Sequence, residues 1–196
     1  MYKTNMRVIA GTAKGHKLVA PKTDATRPAL DRVKESIFDI LFDVTDSKVL
    51  DLFAGSGSIG IEALSRGSVH CVFVEHGKLA VASIHKNLHR CHLTEKATVL
   101  AMKVNAAVKK LEHNKGFLGK LFHKNEFDLI FVDPPYEQNL VNPTLELLGT
   151  TSLLHDKTLM IVEHHPKEPL KELAALVLTD ERRYGQTHVS FLKRKS

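Results

Sequence analysis

The chain has 196 residues, 43% of them hydrophobic and 26% charged, which is enough to bury one sizeable core and fits a single domain. No run approaches the roughly 18 apolar residues of a membrane-spanning helix, and Lys3 and Arg7 in the first ten residues precede no hydrophobic block, so a soluble, unexported, cytoplasmic protein is expected. Residues 1 to 34 hold eight Lys or Arg against two Asp, which accounts for the whole formal charge of +6 and leaves the remainder neutral. Such a segment is a solvated surface unless the neutral remainder carries chemistry that acts on nucleic acid, in which case it reads as a phosphate-contacting arm.

In chain order, Arg7 to Gly11 and Lys17 to Ala20 read as extended pieces joined at Lys14-Gly15-His16, a small hairpin. After Thr26-Arg27-Pro28, the spacing of Val33, Ile37, Ile40 and Leu41 predicts a helix over about 30–42, with Arg32 and Lys34 off the apolar stripe. Strands follow at Val49 to Phe53, Val69 to Glu75, Ala97 to Met102, Phe127 to Asp133 and Leu159 to Glu163, alternating with helical patterns at Ile59 to Leu64 and Leu79 to Leu93. This alternation predicts a largely parallel sheet covered by helices. Leu176 to Thr179 and His188 to Lys193, on either side of a polar turn with Tyr184-Gly185, predict a closing antiparallel hairpin. The expected organisation is one Rossmann-like domain over 1–196, with a seven-stranded sheet at 46–196 and a basic extension at 1–45.

The run Asp51-Leu52-Phe53-Ala54-Gly55-Ser56-Gly57-Ser58-Ile59-Gly60 falls between a predicted strand and helix. Gly55 and Gly57 allow a tight turn close to a ligand, and Gly60 allows the helix to approach the sheet. Glu75, at the end of the next strand, is placed to take ribose hydroxyls. The glycine spacing also fits nicotinamide dinucleotides, and Asp51 separates the two. A pyrophosphate gains nothing from a carboxylate at the strand end, whereas the sulfonium and ammonium of S-adenosylmethionine do.

Phe127 to Val132 leads into Asp133-Pro134-Pro135-Tyr136, which is expected beyond the carboxyl end of the fourth strand, where open parallel sheets bind ligands. The consecutive prolines remove two amide donors and leave a carboxylate and a carbonyl free to accept. An exocyclic amine on a base is a poor nucleophile because its lone pair is delocalised. Two acceptors, the Asp133 carboxylate and the Pro134 carbonyl, can hold its hydrogens and aim the lone pair, while Tyr136 stacks on the base.

With these motifs, Arg7-Val8-Ile9-Ala10-Gly11, Gly15, Lys17-Leu18, Thr26-Arg27-Pro28, Asp31-Arg32-Val33-Lys34-Glu35 and Ile37-Phe38, the chain resembles the RsmD family of 16S ribosomal RNA guanine-N2 methyltransferases. The resemblance implies a class I methyltransferase fold, S-adenosylmethionine as donor and a small-subunit assembly particle as substrate, for a protein expected to act as a monomer. On it, Asp51, Phe53, Gly55, Ser56, Gly57, Glu75 and Asn105 bind the donor. Asp133, Pro134 and Tyr136 serve catalysis, and Arg7, Lys17, Arg27, Arg32 and Lys34 contact RNA. Asn105 stands where such enzymes usually carry an acidic residue near the adenine, and Ala29 where a hydroxyl residue usually follows Pro28.

Cys71 and Cys91 fall in a predicted strand and helix and indicate no disulfide framework. His85, His89 and His92 border the apolar stripe of Val81, Ile84, Leu88 and Cys91, a boundary pattern rather than a zinc site, and no metal is expected. The competing readings are an amino methyltransferase acting on another RNA or DNA base, a nicotinamide-dependent oxidoreductase and a non-enzymatic RNA-binding module.

Overall fold

The computed structural model describes residues 6–21, 29–113, 126–136 and 138–195, Ala29 to Asp31 by backbone alone. They fall into two units, Met1–Ala101 and Met102–Ser196. The Thr26-Arg27-Pro28 element lies outside the described residues.

In the first unit, β1 (Lys48–Leu52), β2 (His70–Glu75) and β3 (Ala97–Ala101) lie in the order β3-β2-β1, all parallel. Val49, Leu50, Leu52, Val72, Phe73 and Val74 are fully buried, the pattern of strands covered on both faces, broken in β1 only by Asp51. The helices α1 (Ala29–Leu41), α2 (Ser58–Ser65) and α3 (Lys78–Arg90) belong to the same unit. Cys71 and Cys91 are free and buried, and His85, His89 and His92 are exposed.

The helix α2 begins at Gly57, whose φ of 78° suits glycine. Three residues on, a Cβ at Gly60 would lie 2.4 Å from Phe73 Cε1 and 2.6 Å from Cys71 Sγ. This close approach is the one anticipated from the glycine spacing. Gly60→Ala is therefore expected to lower stability by about 1–3 kcal/mol through overpacking, read as a fall in the urea midpoint at unchanged slope; an unmoved midpoint would show that the helix can lift off the strand without cost.

The basic segment is fastened to this unit. The predicted hairpin is reduced to a single antiparallel bridge, Arg7 to Lys17, flanked by the Val8 amide donating to His16 O at 3.0 Å and the Leu18 amide to Met6 O at 2.9 Å. The amides of Ile9 and Ala10 donate to the Glu62 carboxylate at 2.8 and 3.0 Å. Those of Thr12 and Ala13 donate to Ser65 O and Ser65 Oγ at 2.8 and 2.9 Å. On α1 the buried face is Val33, Lys34, Ile37 and Phe38, while Ile40 stays 40% exposed. The expected stripe through Ile40 is thus turned toward Lys34, because Lys34 meets the buried Glu62 at 3.5 Å.

In the second unit, β4 (Phe127–Val132), β5 (Leu154–His164), β6 (Leu176–Tyr184) and β7 (Thr187–Arg194) lie in the order β4-β5-β7-β6. The β4–β5 pair is parallel, and β7 runs antiparallel to both β5 and β6. The helices are α4 (Val104–His113) and α5 (Val141–Gly149). Both β5 and β6 exceed their predicted lengths. A register shift between Phe127 and Leu129 carries β5 through the exposed Asp156 and Lys157, which interrupt its apolar pattern. The second half of β6 is polar, with Arg182 paired to Asp180 at 2.9 Å and Arg183 to Glu181 at 3.2 Å. Charges two residues apart share one face of a strand, so a segment that reads as a turn extends as an outermost strand. No helix among the described residues is long and apolar enough to cross a membrane.

Candidate active site

The glycine turn of the first unit leaves β1 through Phe53 at φ 60° and Gly55 at φ 55° before Gly57 opens α2. Beneath it Asp51 is 3% exposed, and its Oδ2 accepts from the Gly60 amide at 3.0 Å. Its charge reaches the neighbouring Cys71, whose thiol burial and Asp51 together push well up. Asp51 therefore braces the first turn of α2 and carries its negative charge under the loop, not at the loop surface.

Glu75 closes β2 with its side chain 12% exposed. Its Oε2 accepts from the Gly55 amide at 3.0 Å, and its Oε1 from the His76 and Gly77 amides, both at 2.7 Å. A carboxylate offers about four lone-pair sites, so three bonds leave one for a hydroxyl, and a second hydroxyl must displace the Gly55 amide. The residues fit an adenosine-type group on that count, in a turn whose backbone conformations bring main chain rather than side chains toward a ligand.

Asn87 is a residue that sequence reasoning missed. It is fully buried on α3, where it accepts from the Val19 amide at 2.8 Å and donates to Val19 O and Ser56 O at 2.8 and 2.9 Å. One side chain thus joins the basic segment to the glycine turn, and its only signal in the sequence is a polar residue beside the apolar Ile84 and Leu88. Ser56 also donates its hydroxyl to Met6 Sδ at 3.4 Å.

Of the residues expected at RNA, Arg7, Lys17 and Arg32 are exposed, and Arg27 lies outside the described residues. Lys34 is 2% exposed and donates to Arg7 O at 2.8 Å and Ser58 Oγ at 3.0 Å, besides facing Glu62. Its charge is compensated inside the protein, which corrects the expectation that it lies off the buried face of α1 and contacts RNA.

In the second unit, Asp133 follows β4 directly, partly exposed, with Pro134 buried and Pro135 exposed. Burial raises the Asp133 carboxyl to about 7. Tyr136 is held by its hydroxyl at 3.0 Å from Thr187 Oγ1, its ring 5.7 Å from that of His165. Asn105 is exposed in the first turn of α4.

Two further features of this unit come from strand register, which no local motif announces. Glu163, at the end of β5, is 6% exposed, and its Oε2 has no hydrogen-bond partner among the described residues. Its carboxyl is pushed well above the usual range, first by burial and then by the charge of Asp133. Separately, the pairing of His164 with His188 and of Glu181 with Ser190 groups His164, Glu181 and His188, with three possible ligand atoms within 4.8 Å of one another. His164 Nδ1 donates to Glu168 O at 3.1 Å and its Nε2 meets Ser190 Oγ at 3.0 Å; burial lowers its pKa, which favours the neutral ring.

Comparison with known proteins identifies the family and the fold. The family described as "Conserved hypothetical protein 95" matches residues 6–193. Ribosomal RNA small subunit methyltransferase D of Haemophilus influenzae is 35% identical over 171 residues, 86% of this chain and 83% of its own. The Escherichia coli protein of the same name is 34% identical, over 87% and 80% respectively. The solved structure of yhhF from Escherichia coli superposes with a TM-score of 0.79 at 32% identity, covering 96% of this chain and 97% of that one.

Fold and relatives together define an S-adenosylmethionine-dependent methyltransferase with the Rossmann-like class I fold. Within that class the chain belongs to the Conserved hypothetical protein 95 family, and to the RsmD-like group of it that the sequence motifs resemble.

Proposed function

We propose that the protein transfers the methyl group of S-adenosylmethionine to the exocyclic N2 of a guanine in 16S ribosomal RNA, within a small-subunit assembly particle. The observation that carries this reading is Asp133, a carboxyl raised to about 7 at the end of β4 and followed by two residues that lack amide donors. The name borne by the Haemophilus influenzae and Escherichia coli relatives supports the choice of RNA.

The donor supplies an electrophilic methyl on a sulfonium. The chain's own residues supply the rest. Phe53, Gly55, Ser56 and Gly57 form the turn that receives it, Glu75 accepts from the ribose, Asn105 accepts from the adenine amine, and Asp51 lends negative charge from below the turn. Asp133 and the Pro134 carbonyl each accept one hydrogen of the guanine amine, so that its lone pair is released from the ring and aimed, and Tyr136 gives the base a stacking face. As the new N–C bond forms, the bond from the methyl to the donor's sulfur would break and leave S-adenosylhomocysteine, and the nitrogen would lose one proton to the Asp133 carboxylate.

The test is incubation of the protein with labelled donor and methyl-deficient small-subunit particles, followed by nucleoside analysis. N2-methylguanosine in 16S RNA is the expected product. Label in another base or in DNA moves the substrate, and label in no nucleic acid removes the reading.

Arg7, Lys17 and Arg32 are proposed to contact phosphate directly, with Arg27; Lys34 serves them by fixing the Arg7 carbonyl. RNA affinity is then expected to fall steeply with salt, and replacing Arg7 or Lys17 to lower the slope of log K against log salt by about one each. A filter-binding titration at several salt concentrations checks this, and an unchanged slope in both variants would place the RNA elsewhere.

A further inference from the structure

The buried carboxyl at the end of β5 has no part in the reaction described above. In the parallel pairing of β4 with β5, Val132 lies opposite Val162, so the next residues of the two strands are Asp133 and Glu163. On its other side Glu163 faces the apolar Val189 of β7. Two residues before Val189, on the same face by the strand alternation, Thr187 holds the Tyr136 hydroxyl at 3.0 Å. His164, one residue along β5, turns to the other face with His188 and Glu181. The ionisable groups on the Glu163 side are therefore Asp133, Tyr136 with the His165 ring beside it, and, one strand further out, Arg182 opposite Val189; Asp133 is the one whose charge acts on Glu163.

Two neighbouring carboxyls, Glu163 buried and Asp133 largely desolvated, cannot both ionise without large cost. Glu163 is 6% exposed and its Oε2 has no hydrogen-bond partner among the described residues. A neutral acid in that place has one O–H to give, and the acceptor beside it is Asp133. The geometry points to Glu163 as a positioning residue: it stays protonated and donates to the Asp133 carboxylate, holding that group charged and oriented while Asp133 grips the amine. Glu163 keeps its own proton throughout, and the proton released by the amine goes to Asp133. The inference rests on the functional reading above, since it presumes that Asp133 is the acceptor.

Two substitutions and one titration decide it. Glu163→Gln keeps shape and a donor, and Glu163→Met keeps volume without one. A hydrogen bond to a charged group implies that Glu163→Met lowers kcat by about 10–100-fold, while Glu163→Gln lowers it no more than about threefold. S-adenosylhomocysteine affinity is expected to stay unchanged in both. The acid limb of the kcat profile should move to higher pH in Glu163→Met alone, because its Asp133 carboxylate has lost a stabilising donor. Carbon-13 NMR of the glutamate carboxyls in the free protein should show Glu163 still protonated at the pH where Asp133 has ionised, well above the ordinary glutamate value.

Wild-type rates and an unmoved limb in Glu163→Met would reduce Glu163 to a filler. Equal losses in both variants would mean that it acts as a carboxylate, which also overturns the proposal, as would an ionised Glu163 in the titration. The NMR measurement needs no substrate. If the wild-type protein methylated no RNA, the functional reading alone would fall, and the protonation of Glu163 would still be decided.

Discussion

Asp133→Asn is expected to lower kcat for methyl transfer by about 10²–10³-fold, the usual loss when one group that stabilises developing charge is removed, with S-adenosylhomocysteine binding unchanged. The amide still has an oxygen that can accept, but it carries no charge to meet the positive nitrogen and no basicity to take its proton. In the wild-type protein kcat should rise with pH up to about 7 and then level, since the Asp133 carboxyl titrates there and its neutral form cannot receive the proton. The stability sign is opposite. A carboxyl raised in the folded state binds its proton more tightly there than in the unfolded chain, so ionisation destabilises the fold as pH climbs from the ordinary aspartate value toward 7. Asp133→Asn should accordingly melt higher than the wild type at about pH 8, the pattern of an active-site group held at the expense of stability. Single-turnover kinetics and thermal melts at several pH values test both halves. A variant with normal kcat, or a flat wild-type profile between about pH 5 and 8, would dismiss Asp133 as the acceptor.

The second large effect lies in Glu62, which is fully buried on α2. Its carboxylate receives the amides of Ile9 and Ala10 and the Arg66 Nε at 2.8 Å, with Lys34 Nζ at 3.5 Å. Glu62→Ala leaves a buried ammonium and two part-buried amides without this partner, a loss of about 3–5 kcal/mol. The ammonium retains Arg7 O and Ser58 Oγ, which offsets part of the loss. Because the bonds reach into residues 9 and 10, limited proteolysis should cut the basic segment first. Joint replacement of Glu62 and Lys34 by methionine should recover part of the stability, since the buried ammonium leaves with its partner, while Arg66 and the two amides still lack the carboxylate. A Glu62→Ala chain that unfolds within about 1 kcal/mol of the wild type would mean that the segment is held by its apolar contacts at Val8, Ala13 and Leu18.

Much of this architecture is legible in the sequence because parallel strands covered on both faces are written as short apolar runs, and β1 to β4 appear within a residue or two of where those runs predict them. The glycine turn is legible for the same kind of reason: Gly57 answers to a positive backbone angle and Gly60 to close approach, which glycine meets without strain or clash. What stayed hidden depends on partners distant along the chain. Lys34 is indistinguishable from a solvent-facing lysine until Glu62, 28 positions later, is brought beside it. Asn87 looks like a polar interruption of a helix until Val19 and Ser56 reach it. Glu163 reads as the polar end of a strand, and only the register against β4 gives it a carboxyl for a neighbour. Polar residues inside a core are specified by tertiary pairing, and periodicity carries no record of it.

The outermost strand of the second unit has a bearing on how the protein behaves in concentrated solution. One end of β6 presents Val177 and Leu178, 41% and 47% exposed, along a row of main-chain groups that β7 pairs on one side only. Such a border would recruit the same border of another molecule if it stayed apolar along its length. The four charges from Asp180 to Arg183 come immediately after, locked in pairs on each face, and a second strand laid alongside would have to strip their water before any new ladder could form. These acids and guanidinium groups thus work as a guard against self-assembly, and their worth is felt between molecules rather than within one.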